Sequence, residues 1–201
     1  ICHISSIAAL GSNINNQIIE ENSFYNENKK ESNYALSKYY AEQEVWRASQ
    51  EGLDMVILNP SVILGPGDWN KGSSQIFQKI HNGLKFFTSG GTGYVDVTDV
   101  ANCAIQLLES NYKNERFIIN SENLNYRTVF DWIAENFGKD KATIKVNKFL
   151  KEIAWRVELI RSLFSQKKPL ITRETANSAM RKRHYSNQKI VESLNYKFVP
   201  I

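Results

Sequence analysis

Tyr34-Ala35-Leu36-Ser37-Lys38 is the stretch on which the reading of this chain turns. Tyr34 and Lys38 are four residues apart, so on a helix both side chains share one face, one turn from each other. An ammonium held beside a phenol favours the phenolate, which suits such a pair to trading protons near neutrality. Upstream, Ser5-Ser6-Ile7-Ala8-Ala9-Leu10-Gly11 follows the strand-like run Ile1-Cys2-His3-Ile4. A serine at a strand end can hold a carbonyl oxygen next to that phenol. Taken singly, each residue has a plainer reading, because helices carry many Tyr and Lys residues at this spacing. Their order along the chain gives them weight. The helix predicted around Tyr34 and Lys38 continues to about Gln50 and stops at Gly52. It gives way to Met55-Val56-Ile57-Leu58, apolar on both faces as central parallel strands are.

That strand runs into Asn59-Pro60-Ser61-Val62-Ile63-Leu64-Gly65-Pro66-Gly67. Farther on, a helix is expected from about Ser73 to Asn82, and strands at Lys85–Ser89 and Tyr94–Val97. Thr98 then caps a helix to about Glu109. Arg116–Asn120 reads as a strand, and Thr128 opens a short helix that Gly138 closes. From Lys148 the pattern is helical, with Ile153, Val157, Ile160 and Leu163 near one face. Thr172 and Ser186 are candidate caps of two later helices, and Asn13 to Lys30 is a polar loop. Strands alternating with helices predict an α/β fold with a doubly wound parallel sheet.

Composition narrows the class. With 42% hydrophobic and 11% aromatic residues the chain has what a packed core needs, so disorder is excluded. A net charge of +4 is modest. The basic clusters Lys167-Lys168 and Arg181-Lys182-Arg183-His184 are interspersed with Glu152, Glu158, Glu174 and Glu192, which describes solvated helix faces and no nucleic-acid partner. Apolar runs fall far short of the ~20 residues that span a bilayer, so no membrane partner is expected. The start shows no basic region followed by an apolar one, so no signal peptide is expected. Cys2 and Cys103 lack metal or scaffold spacing, and His3, His81 and His184 lack partners. The expectation is reduced thiols, a cytoplasmic location and no metal site.

In this order the motifs resemble the extended short-chain dehydrogenase/reductase family, the NAD(P)-dependent epimerase/dehydratase group. The likeness is greatest to its dihydroflavonol-reductase-like and hydroxysteroid-dehydrogenase-like branch. Gly93-Tyr94-Val95-Asp96-Val97-Thr98-Asp99-Val100-Ala101 is similar to that family's strand-into-helix segment. The resemblance is tight over residues 1–110 and loose thereafter. It implies a Rossmann-like domain over 1–119, with part of the substrate lobe near 66–89, and a mostly helical, mixed α/β substrate lobe over 120–201. It implies Tyr34 as acid/base and Lys38 as the residue that binds the nicotinamide ribose and tunes the tyrosine. Ser6 would orient the substrate oxygen; it is preferred to Ser5 because the family's Ser/Thr stands five residues before the glycine closing this turn, here Gly11. Backbone groups at Pro60, Ser61 and Val62 would meet the nicotinamide carboxamide of NAD or NADP. Asn59 would touch substrate or, equally, tie down the turn as a buried amide. Trp69 and Phe77 would line an apolar substrate pocket, with core packing as the plainer reading. Asp96 and Asp99 would be anchors and caps, and Tyr39 and Tyr40 packing residues.

Two departures matter. The family's glycine-rich turn, which sets pyrophosphate on a helix N-terminus, has no counterpart here. Gly90-Gly91-Thr92-Gly93 precedes a strand where a phosphate cradle would follow one and open a helix. About three βα units, at roughly 30 residues per βαβ unit, would have to precede Ile1, so the chain reads as the C-terminal part of a larger enzyme. Second, the arginine with which nucleotide-sugar epimerases of the family grip a diphosphate falls on Thr92, and no arginine occurs from Asn82 to Glu115. The resemblance therefore implies an oxidoreductase moving hydride between nicotinamide and a small ketone, aldehyde or secondary alcohol, with a homodimer admissible. A nucleotide-sugar epimerase or dehydratase is the alternative, and a non-catalytic or truncated binding protein the alternative of another class.

Overall fold

The computed structural model describes residues 1–11, 18–23, 32–147, 149–153, 155–157 and 173–201. The chain divides into two compact units that interleave along the sequence. The first comprises Ile1–Gly67, Thr92–Asn123 and Arg183–Ile201, and the second Asp68–Gly91 and Leu124–Lys182. The stretch expected near 66–89 in the second lobe corresponds to Asp68–Gly91 of the second unit, whereas residues 183–201, also expected in that lobe, belong to the first. The last nineteen residues return to the first unit because Ile190 completes its core.

The first unit is built on three parallel strands, β1 (Cys2–Ile4), β2 (Val56–Pro60) and β6 (Glu115–Ile119), in the order β1-β2-β6. Ile4 lies opposite Leu58, and Leu58 opposite Phe117. All five residues of β2 are buried, as expected of a central strand covered on both faces. The pleat sends alternate residues to opposite sides. Val56 and Leu58 join Phe117, Ile119, Val100, Cys103, Leu107 and Ile190 in the main core, under α3 (Val97–Glu109) and α6 (Gln188–Leu194). The other face meets α1 (Asn33–Gln50), through Asn59. Next to this sheet, β3 (Val62–Leu64) pairs in parallel with β5 (Gly91–Asp96), Val62 facing Tyr94, and β7 (Glu122–Asn125) follows β5 in the strand order.

Helix boundaries follow local chemistry. The side chain of Ser32 accepts from the Ala35 N–H at 3.1 Å and starts α1, and Gly52, at φ +97°, ends it as expected. The deepest stripe of α1 is Ala35, Glu42 and Ser49, spaced by seven; Leu36, Tyr39, Val45 and Trp46 are half-buried and Tyr40 is exposed. The packing role expected of Tyr40 thus does not hold, since a small residue at Ala35 lets the helix approach the sheet on that side. The cap of α3 is Asp96, whose carboxylate accepts from the Thr98 N–H at 2.7 Å, and not Thr98 itself. Asp99 is an anchor: it accepts from the Tyr196 hydroxyl at 2.8 Å and the Val199 N–H at 3.0 Å.

In the second unit α2 (Gln75–His81) packs on α4 (Tyr126–Asn136), and β4 (Phe86–Phe87) pairs with β8 (Ile144–Lys145). The strand expected over Lys85–Ser89 shortens to two residues. The α4 helix starts two residues before Thr128, with Asn125 at its cap and Gly138 beyond its end at φ +60°. Ile153 and Val157 are exposed, so they form no buried stripe; Ile160, Leu163 and Thr172 lie outside the described residues, as does much of the Asn13–Lys30 loop. A further helix, α5, spans Arg173–Ser178. At the start of α6 the Ser186 hydroxyl accepts from the Gln188 N–H at 3.3 Å, as expected, whereas Asn187, the residue just before the helix, makes no side-chain cap bond. Among the described residues no helix is long and apolar enough to cross a membrane, and no His/Cys/Asp/Glu group could hold a metal.

Candidate active site

The carboxyl ends of β1 and β2 and the first turns of α1 converge in the first unit. Beyond β1 the parallel pairing persists for one residue, the Ser5 N–H donating to the Leu58 carbonyl at 2.8 Å. Ser6 follows in extended conformation and caps a short 3-10 turn, Ile7–Ala9, its Oγ accepting from the Ala8 N–H at 3.1 Å. That bond uses a lone pair and leaves the hydroxyl proton to donate outward. Ser5 is buried and Ser6 half-buried, so of the two serines Ser6 is the accessible one.

Tyr34 stands in the first turn of α1 with 57% of its surface exposed. Lys38, one turn on, reaches back to the sheet, its Nζ donating to the Ile4 carbonyl at 3.3 Å. The lysine thus grips the strand end two residues before Ser6. A turn further along the same face, Glu42 is buried and accepts from Asn59 Nδ2 at 2.5 Å. Its second oxygen lies 3.5 Å from Arg116, whose guanidinium stands 5.6 Å from the Trp46 ring centre. His3 is held below the usual imidazole range, first by burial; Glu42 opposes that shift and Lys38 adds to it.

Asn59 is wholly buried, and its amide donates to the Ser6 carbonyl at 3.0 Å as well as to Glu42. The role of buried tie is therefore the one the geometry carries; contact with substrate is not. Of the three residues expected at the nicotinamide carboxamide, Pro60 has no N–H and is buried. The Ser61 N–H is already bonded to the Ile119 carbonyl at 2.9 Å. Val62 is half-buried. Trp69 and Phe77 belong to the second unit, stacked at 6.4 Å between ring centres, with the rings of His81 and Phe137 centred 6.0 and 5.6 Å from that of Trp69. They form one aromatic cluster there. Sequence reading missed Glu42 and Arg116. The available signal was a carboxylate four residues after Lys38, on the face that also carries Ala35 and Ser49.

The glycines of 90–93 are close-packed and offer no phosphate cradle. A Cβ at Gly90 would lie 2.3 Å from the Ala179 carbonyl oxygen, and one at Gly91 2.7 Å from that of Leu124. One at Gly93 would lie 2.1 Å from Asn120 Oδ1. These residues are glycine because chain passes against them, which is also why β5 begins three residues earlier than expected.

Residues 1–120 match the family model described as the NAD dependent epimerase/dehydratase family. The chain belongs to that family. A putative dihydroflavonol 4-reductase of Synechocystis is 25% identical over 199 residues, covering 96% of this chain and 58% of that protein. Cinnamoyl-CoA reductase 2 of Arabidopsis thaliana is 28% identical over 177 residues, covering 80% and 53%. Among solved structures, that of gox2253 superposes with a TM-score of 0.80 at 28% identity, covering all of this chain and 62% of that one. A dTDP-glucose 4,6-dehydratase of Streptomyces venezuelae, solved with NAD bound, superposes with a TM-score of 0.70 at 19% identity, covering 100% and 55%; it shows the shared fold. The chain thus spans little more than half the length of these relatives. The family is NAD(P)-dependent, and the fold is the family's parallel-sheet α/β fold. Ser6, Tyr34, Lys38 and Val62 are the groups that would meet the nicotinamide end of that cofactor: a half-buried hydroxyl, an exposed phenol, a cation one turn away and a half-buried strand start beyond β2. Nothing among residues 90–93 fits its pyrophosphate.

Proposed function

We propose that this chain carries the Ser6–Tyr34–Lys38 site of an NAD(P)-dependent reductase acting on a small ketone or aldehyde, or on the corresponding secondary alcohol in reverse. The observation that carries the reading is that Lys38, one turn from the exposed Tyr34, is bonded to the strand end that leads into Ser6. When bound, the cofactor supplies or accepts the hydride at the substrate carbon. The protein's part is at the oxygen. Tyr34 gives its phenolic proton to the developing alkoxide, or takes it back in oxidation. The Ser6 hydroxyl donates to the same oxygen and so favours the charge that builds there. Lys38, one turn from Tyr34, would hold the nicotinamide ribose.

Thr92 supports a carbonyl substrate over a sugar nucleotide. It is 7% exposed within β5, at the place where the sugar-nucleotide enzymes carry an arginine, and a threonine offers a diphosphate no forked cation. The curated relatives cited above are reductases by name, which points the same way. The test sets a panel of aromatic and aliphatic carbonyls against a panel of UDP- and dTDP-sugars, following cofactor absorbance and sugar stereochemistry together. Carbonyl reduction with net NAD(P)H consumption is expected. Epimerisation of a sugar nucleotide with the carbonyl panel inert would replace this reading by the epimerase one.

A further inference from the structure

Two side chains of α1 hold the end of β1, and they do so at different points. Lys38 bonds the Ile4 carbonyl directly. Glu42, a turn farther on, holds the Ser6 carbonyl through Asn59, whose amide bridges Ser6 O at 3.0 Å and Glu42 Oε1 at 2.5 Å. Ser6 O also accepts from the Ala9 N–H at 3.0 Å, so its two acceptor sites are both filled. Glu42 is 1% exposed and Asn59 0%. A helix face against a sheet is ordinarily apolar, and burying an amide and a carboxylate there is unfavourable unless each is bonded. A leucine pair would fill the space but could not grip a main-chain carbonyl. Arg116 completes the arrangement by facing the second Glu42 oxygen.

We propose that Asn59 and Glu42 are positioning residues for the reaction: the Asn59 amide, bridged between the Ser6 carbonyl and the Glu42 carboxylate, locks the Ser6 turn to the helix that carries Tyr34. Neither touches substrate. Their effect is on the separation of the serine hydroxyl and the tyrosine phenol, two groups that must meet one oxygen, and displacement by an ångström costs such an arrangement about 100-fold in rate. The inference rests on the proposed Ser6–Tyr34–Lys38 site, and its test separates the two.

The variants are Asn59→Ser, which is smaller and cannot bridge, and Glu42→Gln, which keeps an acceptor for the Asn59 amide. In the cofactor-loaded enzyme, Asn59→Ser is expected to lower kcat about 10–100-fold with cofactor Kd unchanged. Glu42→Gln should retain kcat within about threefold. Independently of activity, amide exchange at Ala9, read by NMR or mass spectrometry, should quicken in Asn59→Ser and stay as in the parent in Glu42→Gln. Should Asn59→Ser fail to fold, Glu42→Leu, which removes the anchor for the amide, is read by the same two measurements. Parental kcat in the bridge-breaking variant overturns the proposal, whether Ala9 exchange quickens, leaving only a structural brace, or does not. Ser6→Ala distinguishes the underlying reading: full turnover there would overturn the site itself, whereas a large loss there beside parental turnover in Asn59→Ser overturns only the positioning role of Asn59 and Glu42.

Discussion

Cys103 lies fully buried in the main core on α3, and burial pushes its thiol up to about 12. The thiol must stay protonated in the fold, while in the unfolded chain it ionises near pH 9. A group whose folded value lies above its unfolded one contributes stability that is complete below the unfolded value and is lost as pH rises. Stability should therefore hold to about pH 9 and fall steadily toward 12. Tyr196, raised first by burial and then by its bond to Asp99, acts in the same direction. Urea midpoints measured from pH 8 to 11 should decline, and Cys103→Ala should flatten the decline. An unchanged slope in that variant would assign the alkaline loss elsewhere. At this scale the sequence showed the chemistry but not the surroundings. Tyr34, Lys38 and Ser6 stand out because residue type and spacing carry them. Asn59 could be read two ways, since only the fold decides whether an amide at a strand end faces a ligand or a carboxylate.

Among the elements, α3 and the C-terminal segment are joined through one buried carboxylate. Asp99 receives the Tyr196 hydroxyl and the Val199 N–H, and α6 places Ile190 in the same core. Tyr196→Phe removes one donor from an oxygen that has lost access to water, which should cost about 1–3 kcal/mol in denaturant titrations. A loss within error would show that water replaces the hydroxyl. The main helices and central strands were legible in the sequence because their signals are local: Gly52 at the end of α1, and an unbroken apolar run for β2. The short strands β3, β7 and β8 were not, since two to four residues carry too little periodicity and pair only because a neighbour is present. The resemblance implied Asp96 as a cap, as found, while the local reading had placed the cap at Thr98. An aspartate two residues before a threonine leaves either side chain able to cap, and the extended Asp96 backbone decides it.

At the scale of the whole molecule, the interleaved units explain why no single cut through the sequence separates sheet from lobe. The chain leaves the first unit after Gly67, returns at Thr92, leaves again after Asn123 and ends there. Strand-helix alternation shows that a parallel sheet exists, but not which later helix returns to it; the Ile190 contact is long-range and leaves no local mark. The family assignment and the site both rest on the first unit, where the matched residues 1–120 contribute most of the structure. The central claim is that Tyr34 is the proton donor of a reductase site. Tyr34→Phe keeps the ring and removes the transferable proton. Assayed in the cofactor-loaded enzyme with a carbonyl compound it turns over, the variant should lose about 10²–10⁴ in kcat while its affinity for NAD(P)H stays unchanged. Near-normal turnover in Tyr34→Phe would contradict the account.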